Sequence, residues 1–319
     1  MTRYRKSLPQ LGGGLFLTDG GLETTLVFHQ GIDLPCFAAI ELLKRDDGEA
    51  ILRRYFDTYA DIARRFRAGM VLESPTWRAN PDWGRELGYG EEELAAANRR
   101  SIAFLETLRD AYEADDRPVV ISGCIGPRGD GYVVDRAMSW EEAEAYHRSQ
   151  VETFASTAAD MLSAMTINYV EEAVGIVKAA KAAGMPISLS FTVETDGRLP
   201  TGQALGEAIE QVDAETAAHP AYYMINCAHP SHFDTSLVAG EGWLERIGGV
   251  RANASRMSHE ELDEAPELDE GDPVEFGREY AELKKRLRNL TVLGGCCGTD
   301  HRHVEQVASA CEPLFREAS

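Results

Sequence analysis

Short hydrophobic runs alternate with longer amphipathic stretches along the whole chain. Eight of these runs predict β-strands, at residues 16–19, 70–74, 119–124, 161–164, 187–191, 222–226, 249–253 and 291–294. Most of the runs are nearly continuous in apolar residues, which is typical of strands covered on both faces. The pattern therefore predicts a parallel sheet buried beneath helices.

Helices are predicted between these strands. Between the first two strands, apolar residues recur every three or four positions and form one stripe, made of Ile51, Tyr55, Tyr59, Ile62 and Phe66. Further helices are predicted at 91–113, 140–158, 171–182, 205–217, 235–246, 275–288 and 300–312. This strict alternation favours an α/β fold, a single (β/α)8 TIM barrel over residues 1–319. A doubly wound sheet is the alternative, because periodicity does not reveal whether a sheet closes.

Composition restricts the partners and the compartment. The chain has 319 residues, of which 44% are hydrophobic, and carries a net charge of −21 from 53 acidic and 32 basic residues. This balance excludes a disordered chain and argues against nucleic acid as a partner. No apolar run approaches the roughly 18 residues of a membrane span, and no signal peptide is apparent. We therefore expect a cytoplasmic protein without a membrane partner.

Residues 258–275, here called the acidic segment, depart from the alternation. They are dense in Asp and Glu and contain Pro266 and Pro273. The segment follows the seventh predicted strand, so we expect a surface insertion over the mouth of the barrel. Long loops of this kind are either solvated connections or lids over a site.

The cysteines carry the strongest chemical signal. Cys296 and Cys297 lie in a glycine-rich stretch, Gly-Gly-Cys-Cys-Gly-Thr, at the end of the last predicted strand, and Cys227 follows Asn226 at the end of the sixth. Glycine permits the sharp turn that two adjacent thiols need in order to face one point. Because the carboxyl ends of barrel strands meet at one face, we expect the three sulfurs to converge.

Three thiolates form a soft ligand set that suits zinc. A structural zinc takes four protein ligands, whereas three leave one position open, as in catalytic sites. Coordination deprotonates an incoming thiol, which favours its alkylation. Cys227, Cys296 and Cys297 are therefore predicted to bind Zn²⁺ and to activate a substrate thiol. The alternative is that they are reduced, inert cysteines of the core.

Four segments resemble one enzyme family. They are residues 18–24 (TDGGLET), 123–127 (GCIGP), 225–227 (INC) and 294–299 (GGCCGT), which run from the first strand to the last. In these segments the chain resembles the homocysteine S-methyltransferase family, which includes betaine–homocysteine methyltransferases and the homocysteine domain of cobalamin-dependent methionine synthases. The resemblance implies a (β/α)8 barrel, zinc bound by the three cysteines, and methyl transfer to homocysteine to give methionine.

The resemblance also suggests where the substrate binds. It implies that Asp19 contacts the amino group of homocysteine and that the backbone of Gly20 and Gly21 contacts its carboxylate, as free backbone N–H groups can do. Polar residues at other strand ends are further candidates for substrate contacts. These are Thr76, Asn226 and Asn253.

Two positions depart from the family pattern. The family places Glu-Thr at the end of the fourth strand, whereas this chain has Met165-Thr166. A thioether cannot accept a charged hydrogen bond, and losing one costs about 1.5–3 kcal/mol. Either another acid replaces the glutamate, or the acceptor is not homocysteine. Cys124 stands where the family commonly has Ser, and it either lines the core or approaches the metal.

The expected function is zinc-dependent S-methyl transfer between two small molecules, an activated donor and a thiol acceptor. A sulfonium donor such as S-methylmethionine or S-adenosylmethionine is favoured, because we recognise no cobalamin- or folate-binding domain and no room for the extension of betaine-using relatives. Two alternatives remain. One is the same chemistry on another small thiol or selenol, and the other is a non-catalytic zinc protein whose thiols sense oxidation.

Overall fold

The computed structural model describes residues 2–265 and 267–316. Eight parallel strands form a closed barrel in chain order. The strands are β1 Phe16–Leu17, β2 Gly69–Glu73, β3 Val119–Ile125, β4 Met161–Ile167, β5 Ile187–Phe191, β6 Tyr222–Asn226, β7 Ile247–Ala252 and β8 Val292–Gly295. Phe16 pairs with Gly69 of β2 on one side and with Val292 of β8 on the other. The predicted barrel is confirmed and the doubly wound alternative is excluded.

Helices surround the barrel. They are α1 Leu22–Thr24, α2 Gly48–Phe66, α3 Pro81–Glu86, α4 Glu91–Tyr112, α5 Trp140–Ala155, α6 Val170–Ala182, α7 Leu205–Thr216, α8 Pro230–Phe233, α9 His259–Glu264, α10 Pro273–Arg286 and α11 His301–Arg316. Short 3-10 or π turns occupy Pro9–Gly12, Thr25–His29, Pro35–Phe37, Ala39–Lys44, Asp234–Ser236 and Gly242–Arg246. No helix in the described ranges is both long and apolar enough to cross a bilayer.

Some predicted boundaries are wrong. A helix at 235–246 is absent from this described stretch, which instead holds two 3-10 turns on either side of Gly240. Gly240 adopts φ +95°, a left-handed conformation that interrupts a helix. β4 continues to Ile167 rather than ending at 164, and the other strand boundaries differ by no more than two residues.

The two faces of the barrel strands have different chemistry. Outside, the predicted stripe of α2 packs on the strands with Ile51, Tyr55, Tyr59 and Ile62 buried. Inside, where TIM barrels usually carry branched aliphatic residues, four buried serines form part of the filling. They are Ser122, Ser163, Ser188 and Ser190. The barrel interior therefore combines hydroxyl groups with apolar side chains beneath the mouth.

Glycines let the ends of β1 and β8 approach each other. A Cβ on Gly294 would collide with the hydroxyl of Thr18, and one on Gly21 would collide with the carbonyl of Cys296. The Gly21 amide also donates to the carbonyl of Thr299 at 3.0 Å. The glycines of both motifs are thus required by close backbone packing.

We expect Gly294→Ala to lower the free energy of unfolding by about 1–3 kcal/mol, because the added methyl group overpacks this contact. Gly14→Ala is the matched control, since a Cβ there meets nothing within 4 Å, and it should change stability by less than about 0.5 kcal/mol. Urea unfolding of both variants tests the prediction, and equal effects would contradict it.

Candidate active site

A cavity of about 490 Å³ opens at the carboxyl ends of the strands. This volume is ordinary for a site that binds small molecules. Its lining includes most of the predicted site residues, namely Asp19, Gly20, Gly21, Asn226, Cys227, Asn253, Cys296 and Cys297. The acidic segment contributes His259, Leu262, Ala265, Glu267, Leu268 and Asp269 to the same lining. Residues distant in the chain therefore share one solvent-accessible space.

Cys227, Cys296 and Cys297, here called the cysteine cluster, lie together in this cavity. Their three sulfur atoms are within 4.8 Å of one another. Cys227 and Cys296 are paired as a disulfide with their Cα atoms 5.5 Å apart, while Cys297 is a free thiol. Cys227 adopts φ +54°, which is uncommon for a residue with a side chain and typical of functional sites.

The cysteine cluster brings three candidate ligands for one metal ion together. Zinc–sulfur bonds of about 2.3 Å place two ligand sulfurs about 3.8 Å apart in a tetrahedron, so the paired sulfurs of Cys227 and Cys296 must separate before they can share an ion with Cys297. Because only thiolates ligate, Cys227 and Cys296 must be reduced before they can bind metal. Burial raises the pKa of the Cys297 thiol, and a bound cation would oppose that effect.

Asn226 holds the strand ends that carry the cysteines. Its Nδ2 donates to Thr166 Oγ1 at 2.7 Å and lies 3.9 Å from Cys296 Sγ. Its Oδ1 accepts from the Thr166 amide and from Ser190 Oγ. Thr166 Oγ1 in turn lies 3.8 Å from Cys227 Sγ. Asn226 therefore orients both sides of the cysteine cluster in addition to lining the cavity.

Asp19 already has a cationic partner within the protein. Its Oδ1 accepts from Arg251 Nη2 at 2.7 Å, and its Oδ2 accepts from Tyr55 Oη at 3.0 Å. Arg251 Nε also donates to the Gly295 carbonyl at 3.0 Å. From the sequence, Asp19 was expected to contact the substrate, and its pairing with Arg251 was not anticipated. The sequence feature that could have indicated this pairing is the presence of a charged residue, Arg251, inside the apolar seventh strand.

The other predicted substrate contacts differ in their placement. Asn253 is buried and lines the cavity, and its Oδ1 lacks a hydrogen-bond partner among the described residues. Thr76 is fully buried, donates to the Cys124 carbonyl at 2.7 Å, and is not among the described residues that line the cavity. A direct substrate contact by Thr76 is therefore not supported, because its hydroxyl donates a hydrogen bond to the backbone of β3.

Met165 and Cys124 lie at the bottom of the cavity. Both are buried and belong to one apolar group with Val71. Burial raises the pKa of Cys124 well above its usual value, so its thiol stays protonated. Cys124 is outside the cysteine cluster that the described residues form. Glu73, which sequence reasoning missed, lines the cavity beside them.

A (β/α)8 barrel with cysteines from two strand ends in its mouth defines a class of barrel enzyme with a thiol-rich site. The profile of the family described as homocysteine S-methyltransferase matches residues 16–311. The chain belongs to the homocysteine S-methyltransferase family, a family of methyltransferase enzymes.

Individual relatives agree with this assignment. The chain is 27% identical to betaine–homocysteine S-methyltransferase 1 of Rattus norvegicus over 77% of its own length, and spans 62% of that relative. It is 25% identical to selenocysteine Se-methyltransferase of Brassica oleracea var. italica, covering 92% of this chain and 88% of that one. The metallated form of the homocysteine methyltransferase MmuM from Escherichia coli shares the fold, with a TM-score of 0.70, 19% identity and coverage of 93% and 96%.

Removing the partner of Asp19 should destabilise the protein. We expect Arg251→Met to lower the free energy of unfolding by about 3–5 kcal/mol, because it leaves a buried carboxylate without its cation. The double variant Asp19→Asn/Arg251→Met should recover part of this loss, since neither charge then remains alone. Urea unfolding of the double variant and of each single variant, Asp19→Asn and Arg251→Met, tests this. The expectation is contradicted if the double variant loses as much free energy of unfolding as the two single variants lose together.

Proposed function

We propose that this protein transfers a methyl group from a sulfonium donor to the thiol of homocysteine, giving methionine, with zinc held by Cys227, Cys296 and Cys297. The observation that carries the proposal is the approach of the three sulfurs to within 4.8 Å of one another in the cavity. Membership of the homocysteine S-methyltransferase family supports the reaction class. The chain spans 62% of the length of the first curated relative, betaine–homocysteine S-methyltransferase 1 of Rattus norvegicus. The identities of the acceptor and the donor are therefore part of the proposal.

The residues of the chain have distinct roles in this reaction. The cysteine cluster binds the metal, and Asn226 fixes the orientation of the strand ends that carry it. When bound, zinc lowers the pKa of the acceptor thiol, so that its sulfur is a thiolate at neutral pH. The thiolate attacks the methyl carbon in line while the bond between that carbon and the sulfonium sulfur breaks. The electron pair of the broken bond stays on this sulfur, which leaves as a neutral thioether. The thiol proton passes to solvent.

The walls of the cavity favour a cationic donor. Aromatic side chains line it, among them Trp77 and Tyr132, and so do the acids Glu23 and Asp130. Burial raises the pKa of Glu23 to about 7, and Arg78 lies 4.0 Å from Asp130, so the negative charge of these walls is partial. A sulfonium is attracted both by aromatic faces and by negative charge. S-methylmethionine and S-adenosylmethionine carry a net charge of +1, whereas betaine is a zwitterion without net charge, so betaine gains less from these acids.

The acidic segment acts as a lid in this proposal. His259 stacks on Tyr132 with ring centroids 4.0 Å apart, and Tyr132 Oη lies 3.7 Å from Cys297 Sγ. The two rings thus cover one side of the cysteine cluster. Covering the reacting sulfur keeps water away from it and strengthens its interactions with nearby charges.

Zinc binding is tested by removing one ligand. The reduced wild-type protein should hold about one equivalent of zinc, and Cys297→Ser should hold less than about a tenth of that, because an alcohol is a poor substitute for a thiolate ligand. Cys36→Ser is the matched control, since Cys36 is exposed and lies outside the cluster, and it should keep its metal. Elemental analysis after purification without chelators gives the result. Full zinc in Cys297→Ser would refute the ligand assignment.

Methyl transfer is tested with a panel of donors and acceptors. We expect S-methylmethionine or S-adenosylmethionine to methylate homocysteine at least about tenfold faster than betaine does, because of the charge of the cavity. Product analysis by mass spectrometry, with selenocysteine and other small thiols as alternative acceptors, identifies the preferred pair. A faster reaction with betaine would overturn the donor proposal. Bound zinc without any methylated product would favour a redox-sensing role instead.

A further inference from the structure

Glu73 is a buried carboxylate with unused hydrogen-bonding capacity in the cavity. It is the last residue of β2, and only 6% of its surface is exposed. Its Oε1 accepts from Ser163 Oγ at 2.8 Å, whereas its Oε2 has no hydrogen-bond partner among the described residues. Leaving a buried carboxylate oxygen unpaired is costly, so a donor from a bound molecule would be strongly favoured there.

The residues beneath Glu73 orient it without neutralising it. Ser163 Oγ contacts Ser122 Oγ at 2.7 Å and Ser188 Oγ at 3.0 Å, so neutral hydroxyl groups from three strands hold the Oε1 side in place. Burial raises the pKa of the Glu73 carboxyl group, and the positive charge of nearby Arg251 opposes this rise in part. The Nη2 and Nε of Arg251, however, bond to Asp19 and to the Gly295 carbonyl.

The other acids of the cavity are engaged within the protein or lie nearer to solvent. Both oxygens of Asp19 accept hydrogen bonds, from Arg251 and Tyr55. Asp130 accepts from two backbone amides, and Asp269 accepts from Ser255 Oγ and the Gly271 amide. Glu267 is exposed and Glu23 is half-buried. Glu73 is therefore the buried carboxylate of the described lining that keeps an unpaired oxygen.

The part of the cavity floor next to Glu73 is apolar. Met165, at the end of β4, lines the cavity and is 5% exposed. It packs in an apolar group that includes Cys124 and Val71, and a thioether is only a weak acceptor. A charged group of a bound molecule would therefore avoid the Met165 side and turn towards Glu73.

We propose that Glu73 determines acceptor specificity by receiving the protonated amino group of an amino-acid thiol whose sulfur faces the cysteine cluster. The ammonium group donates to Oε2, and the serines keep Oε1 in place. This inference rests on the proposed methyl transfer, because it assumes that the acceptor is an amino acid. It assigns to β2 the negative charge that Met165 cannot provide from β4.

The experiment compares two acceptors that differ only in the amino group, homocysteine and 4-mercaptobutyrate. Titration calorimetry of the reduced, zinc-loaded protein with each thiol measures binding without any methyl donor. The wild-type protein should bind homocysteine at least about tenfold more tightly than 4-mercaptobutyrate, the loss typical of a charged hydrogen bond. Glu73→Gln should reduce this ratio to within about twofold of unity, chiefly by weakening homocysteine binding.

Two further variants make the result specific. Glu194→Gln removes an acid that follows β5 at the same end of the barrel but is outside the described cavity lining, and it should leave the ratio unchanged. Glu73→Gln/Met165→Glu moves the carboxylate to β4 and should restore at least part of the preference for homocysteine. Thermal unfolding of each variant checks that the barrel is intact.

The outcomes separate this inference from the proposed reaction. Glu73→Gln that keeps the wild-type ratio, or that weakens both thiols equally in a folded protein, would overturn the role of Glu73 even if methyl transfer proceeds. A wild-type protein without preference for homocysteine would do the same. Selective loss of homocysteine binding in Glu73→Gln would support the role of Glu73, even if no donor methylated the bound thiol and the proposed reaction failed.

Discussion

Closure of the barrel between β1 and β8 is the constraint on which the site depends. The backbone that follows β1 comes so close to β8 and to the turn after it that Gly21 and Gly294 have no room for side chains. Only because the first and last strands are neighbours can Asp19, which follows β1, reach Arg251 on β7. The same turn after β8 exposes two adjacent cysteines to the end of β6. Strand pairing and site chemistry are therefore parts of one arrangement.

The cavity has two regions of different chemistry. One is the cysteine cluster, whose soft sulfur ligands suit a metal and a thiol. The other is a buried set of charges, made of Asp19, Arg251 and Glu73, above a floor of hydroxyl groups. A molecule that carries sulfur at one end and charge at the other matches both regions, as an amino-acid thiol does. The mouth carries acidic and aromatic side chains, which supports the cationic donor of the proposed reaction.

Local patterns were sufficient for most of the fold. Apolar runs identified all eight strands, and the stripe on α2 identified its buried face. The helix expected at 235–246 was wrong because Gly240 takes a left-handed conformation that amphipathic spacing does not reveal. The role of Thr76 stays a prediction, and the structure adds that its hydroxyl donates a hydrogen bond within the protein, which a polar residue after a strand can also do.

The sequence alone determined the succession of strands and helices, the motifs at the strand ends, and the convergence expected of three cysteines. These features depend on periodicity and on short motifs, which neighbouring residues encode. The partners of buried charges were decided only by the tertiary structure. Asp19 and Arg251 are 232 positions apart and meet because the barrel closes, and Glu73 keeps a free oxygen because of what surrounds it in space. Such pairings depend on which side chains face each other across the barrel, and no local pattern records that.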